Sequence, residues 1–84
     1  MTLSYRSKDE FIEYAAYDCI GQLLPEDRES IRNTTDLSEV YLGLGTFVRD
    51  EYINENEEIQ FDYASEDELS KEIIEALIGI LTKE

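Results

Sequence analysis

The sequence predicts an all-α fold, a single small domain of three long helices and one short helix spanning residues 1–84. Apolar residues recur at three- and four-residue steps in three stretches, the spacing of one face of an α-helix. Each of those stretches opens on a helix-capping signature. The lone proline, Pro25, falls between the first stretch and the second, where it can end one helix and begin another.

Ser7-Lys8-Asp9-Glu10 reads as a capping box, with Ser7 as N-cap and Glu10 reaching back. Phe11, Ile12, Ala15, Ala16, Cys19, Ile20, Leu23 and Leu24 then form the apolar face of a first helix. Pro25 ends it, because a residue before proline avoids the α region. A short second helix over 26–32 follows, with acids at its positive end and Arg32 at its negative end. Asn33-Thr34-Thr35 breaks the pattern, and Asp36 with Glu39 offers a second cap.

Leu37, Val40, Tyr41, Leu44, Phe47, Val48 and Tyr52 form the stripe of a third helix. Gly43 and Gly45 lie inside it, each costing roughly 1 kcal/mol relative to Ala. Such a pair predicts close approach of another backbone, with a hinge or a ligand contact as the other readings. Residues 54–58 read as a loop. Ile59-Gln60-Phe61-Asp62-Tyr63 alternates apolar and polar, which predicts a short extended clip at 59–63 laying three side chains on the core. Ser65-Glu66-Asp67-Glu68 is a third capping box, and Leu69, Ile73, Ile74, Leu77, Ile80 and Leu81 carry the last helix.

A chain of 84 residues, 42% of them apolar, builds a modest core whose net stability is expected to be a few kcal/mol. One cysteine cannot form an internal disulfide, and without histidine there is no Cys/His cluster for a structural zinc. The opening residues lack the apolar run of a secretion signal, and no run approaches the ~20 residues of a membrane span. A reducing, cytoplasmic location is the expectation. Acids outnumber bases 21 to 7, for a net charge of −14. That balance disfavours nucleic-acid backbones, whose binding comes largely from Lys and Arg neutralising phosphates, and anionic membranes for the same reason.

Catalysis is poorly provided for. No histidine is present to act as a general base near neutral pH. Cys19 falls on an apolar helix face with no cation beside it, the setting of an inert thiol. The expectation is a protein that is not an enzyme and needs no cofactor. No dedicated metal site is expected either: a calcium loop needs a glycine at its sixth position, and none occurs from Asp50 to Glu68.

That same window holds nine carboxylates and not one Lys or Arg, whereas residues 1–49 carry nine acids against five bases. Asp50, Glu51, Glu55, Glu57, Glu58 and Asp62 are interleaved there with Tyr52, Phe61 and Tyr63. A negative surface studded with rings suits a basic protein partner, the charge steering association and the rings anchoring it. These residues are the candidate partner-binding set. The leading reading is a non-enzymatic acidic protein-binding module, of the inhibitor or immunity type. The alternative is an assembly subunit, a homo-oligomer included, whose acids only solubilise it. Arg49, the last base before the window, is expected to pair with Asp67 or Glu68 at the start of the last helix, or else to touch the partner directly.

Leu44-Gly45-Thr46-Phe47-Val48-Arg49-Asp50-Glu51-Tyr52 resembles the box LG-x-x-[IV]-R-[ND]-x-[WY] of a family of short, uncharacterised bacterial helical proteins. Asp67-Glu68-Leu69-Ser70 is similar to the D-[DE]-[LM]-S element that opens that family's closing helix. Asp50 stands where asparagine is commoner, and the box ends on tyrosine without the usual tryptophan and glycine. The resemblance implies a helical single domain and marks Gly45, Arg49, Tyr52, Asp67 and Ser70 as matched positions.

Overall fold

The computed structural model describes residues 7–83 apart from Glu55, Glu58 and Gln60, with Leu37 described by its backbone. Helix α1 runs Lys8–Gln22, and Ser7 caps it by accepting from the Glu10 backbone N–H at 3.5 Å. Phe11, Ala15, Ala16, Cys19 and Ile20 are buried along its inner face. Leu23 turns extended, giving its N–H to the Ile20 carbonyl at 3.1 Å, because Pro25 forbids another turn. Leu24, expected on the apolar face, is instead 59% exposed, since it lies past the helix end as the N-cap of the next helix.

Helix α2, Pro25–Asn33, has proline at its first position and buries none of its side chains. Ile31 packs half-buried on the core, and the arginines of α2 add polar anchors. Arg28 Nε donates to the Ile20 carbonyl at 3.1 Å and Arg32 Nε to the Leu81 carbonyl at 3.0 Å. Guanidinium groups thus satisfy carbonyls at the C-terminal ends of two other helices, where the helix dipole favours a cation.

Helix α3, Leu37–Val48, is capped by Asp36, which accepts from the Ser38 N–H at 3.0 Å. Val40 and Val48 are buried, and Tyr41, Leu44 and Phe47 pack at the core's margin. The α-helix does not continue through Tyr52 as its spacing predicts. Arg49–Ile53 forms a π-turn, closed by the Asn54 N–H bonding the Arg49 carbonyl at 2.7 Å. The wider winding turns Tyr52 and Ile53 to the same side, and both are buried. Asn56 Nδ2 then donates to the Tyr52 carbonyl at 2.7 Å, satisfying a group that the widened turn would leave open.

The glycines do not behave as predicted. A Cβ built at Gly43 or Gly45 would meet nothing within 4 Å, so among the described residues no other element approaches either one closely.

Helix α4, Glu66–Lys83, is capped by Ser65, whose Oγ accepts from the Glu68 N–H at 3.1 Å. It is the central helix, packing against α1, α2 and α3 through Leu69, Ile73, Ile74, Leu77 and Leu81. Lys8 Nζ stands 2.9 Å from Glu72 Oε2 across α1 and α4, a charge contact off the line of a hydrogen bond. Tyr41 donates its hydroxyl to Glu75 Oε1 at 3.1 Å, tying α3 to α4. Among the described residues no strand forms at 59–63. Ile59 and Phe61 do pack on the core, the Phe61 ring centroid 5.5 Å from that of Phe11, whereas Tyr63 stays 38% exposed. No described helix is long and apolar enough to cross a membrane.

Candidate functional site

The end of α3 and the start of α4 meet at an acidic junction. Asp50 and Glu51 stand exposed on the π-turn, Glu57 and Asp62 on the connecting loop, and Glu66, Asp67 and Glu68 on the first turn of α4. Glu55 and Glu58 lie outside the described residues. The three on α4 sit at the positive end of a helix dipole, which favours them. Asp50 and Glu51 sit at the negative end of α3, which does not.

Among the described cations, Arg49 pairs with Asp67 at this junction and Lys71 lines the groove beside it, while the others lie elsewhere. Lys8 faces Glu72, Arg28 and Arg32 bond the ends of α1 and α4, and Lys83 lies in the last turn of α4. Among the described carboxylates of the window, Asp67 alone is held in an ion pair, by Arg49.

Two of the three rings expected to anchor a partner are not free to do so. Tyr52 is only 7% exposed. Its hydroxyl donates to Asp18 Oδ2 at 2.6 Å, and Gln22 Nε2 donates to that hydroxyl at 3.0 Å and to Asp18 Oδ2 at 2.9 Å. Burial first, then the hydrogen bond and negative charge of Asp18, push the phenol well above the ordinary tyrosine range. Burial likewise raises the neighbouring Cys19 thiol to about 11, with Asp18 adding to the shift. Cys19 therefore stays a thiol near neutral pH. Phe61 is half-buried against Phe11, which leaves Tyr63, 6.0 Å from Phe61 by ring centroids, as the accessible ring. Asp18 and Gln22 escaped the sequence reading. The signal was an acid and an amide one helical turn apart on the edge of an apolar face.

The two elements of the family resemblance meet in space. Gly45, Arg49, Asp67 and Ser70 line one groove of about 290 Å³ between α3 and α4, with Lys71 beside them. Arg49 Nη1 donates to Asp67 Oδ1, and Ser70, itself buried, donates its Oγ to the Asp67 carbonyl at 2.8 Å. Tyr52, the fifth matched position, bonds Asp18 of α1 instead. The Arg49–Asp67 pair ties the end of α3 to the first turn of α4, and the Ser70 bond stays within α4. Because the pair is largely solvated, Arg49→Ala is expected to cost about 0.2–1 kcal/mol. A thermal melt reads this, and an unchanged midpoint would remove the structural role.

Among the described residues, no three His, Cys, Asp or Glu side chains converge to hold a metal ion. The chain matches none of the protein-family models, curated proteins or solved structures with which it was compared.

Proposed function

We propose that this chain is a non-enzymatic acidic binding module, of the inhibitor or immunity type, that docks a basic protein through the junction of α3 and α4. The observation that carries this reading is the exposure of Asp50, Glu51, Glu57, Asp62, Glu66 and Glu68, with no cation among the described residues paired to them. Like charges held together repel and lower the stability of the free protein. A cationic partner relieves that repulsion and is drawn in faster by the same field. Tyr63, exposed at the edge of the junction, is the ring available to anchor it.

Two variants of equal net charge test the reading. One carries Asp50→Asn, Glu51→Gln and Glu66→Gln. The other carries Glu13→Gln, Glu26→Gln and Glu29→Gln, all exposed and outside the junction. A basic ribonuclease serves as the cationic probe, and stopped-flow measures its association. The wild-type rate should fall steeply as salt shortens the Debye length below ~10 Å. At low salt the junction variant should associate roughly tenfold more slowly, while the distal variant stays near wild type. Equal slowing of both variants would show that only total charge matters, and the docking face would be lost.

A further inference from the structure

A second surface lies on the other side of α3. Helix α2 leans on α4 and leaves a groove of about 330 Å³ on its α3 side. The floor is apolar, formed by Leu23, Ile31, Val40 and Leu44. The rim is acidic, with Asp27 on α2 and Glu39 on α3, both exposed. The arginines of α2 do not screen this rim, because both reach away to the carbonyls of Ile20 and Leu81.

Gly43 forms part of the wall. A glycine inside a helix destabilises it by roughly 1 kcal/mol relative to Ala. Among the described residues no packing contact takes up the space, which is empty to 4 Å over Gly43. A low wall there is useful only to something approaching from outside.

We propose that this groove receives an apolar side chain from a cationic amphipathic helix of a partner protein. A groove between two helices accepts the ridge of a third, with apolar anchors at one-turn spacing on the floor and basic residues against the rim. A second copy of this chain is a poor occupant, because each copy carries a net charge of −14. An anionic lipid surface is repelled for the same reason. The inference rests on the preceding reading for the sign of the partner's charge, but it concerns a different surface.

The test uses two synthetic helical peptides of equal charge and length, one of alternating leucine and lysine faces, the other with every leucine replaced by serine. Each is titrated into the full chain while backbone amide NMR shifts are followed. The leucine–lysine peptide should move the amides of Ile31, Val40, Gly43 and Leu44, and the serine–lysine peptide should leave them still. Gly43→Leu, which fills the groove, should weaken the leucine–lysine peptide roughly tenfold or more without altering the weak binding of the serine peptide. Gly43→Ala should stay folded, melt at a higher temperature and bind with intermediate strength. The proposal falls if the leucine–lysine peptide leaves the groove amides unmoved, or if Gly43→Leu binds it as the wild type does. It falls equally if those amides shift when the protein alone is concentrated, since the occupant is then a second copy. Failure of the junction reading shows separately, as absence of movement in residues 50–68 with both peptides.

Discussion

Phe11→Ala is expected to leave most of the chain unfolded without denaturant. The ring is 1% exposed and stands at the inner face of α1. Truncating a buried phenylalanine to alanine costs about 3–5 kcal/mol, from lost transfer energy and the cavity left behind. A domain of this size holds only a few kcal/mol in total, roughly the same amount. The loss extends beyond α1, because the Phe61 ring packs 5.5 Å from Phe11 and holds the 59–63 segment to the core. Urea titration followed by far-UV circular dichroism reads the effect. A midpoint shift worth less than about 1 kcal/mol would mean that the ring contributes no more than an average residue.

Tyr52→Phe is expected to cost about 1–3 kcal/mol, because it leaves the half-buried Asp18 carboxylate with Gln22 as its remaining side-chain partner. The same residue governs alkaline stability. The folded state holds both the Cys19 thiol, raised to about 11 from 9.0, and the Tyr52 phenol, raised above 10.0, in their protonated forms. A group whose folded pKa lies above its unfolded value contributes stability that is complete below the unfolded value and is lost as pH rises. Stability should therefore begin to fall near pH 9.0, as the unfolded thiol ionises, and more steeply above 10.0, as the unfolded phenol does. Denaturant titrations across that range should show the steeper part reduced in Tyr52→Phe, leaving the share of Tyr41, whose phenol is also raised by burial and by the Glu75 hydrogen bond. If the variant declines in parallel with the wild type, the Tyr52 phenol is not the titrating group.

Helix starts were legible in the sequence because capping is local. Ser7, Asp36 and Ser65 each bond a backbone N–H two or three residues on, and that pattern needs no knowledge of the rest of the fold. Pro25 was legible for the same reason. The pairing of Arg49 with Asp67 spans 18 residues but follows from both lying at helix ends, with few other cations in the chain to compete.

The π-turn was not legible, since four-residue spacing already accounts for Tyr52, and only the burial of Ile53 beside it demands the wider turn. Tyr52 reads as a surface ring because acids flank it in the chain, whereas its hydroxyl partner lies 34 residues away on another helix. Gly43 and Gly45 show the same limit from the other direction. A glycine inside a helix looks alike in sequence whether the neighbour that needs the space belongs to the same chain or to another.

The attachment of α2 carries a consequence for how the fold comes apart. With no fully buried side chain, that helix is held by the half-buried Ile31 against the core and by Arg28 and Arg32. The two arginine contacts sit on the last turns of α1 and α4, so detachment removes a donor from the Ile20 and Leu81 carbonyls in one event, leaving Ile20 with the Leu23 N–H. What would otherwise be independent fraying at three places becomes a single cooperative opening, with α2 as its latch.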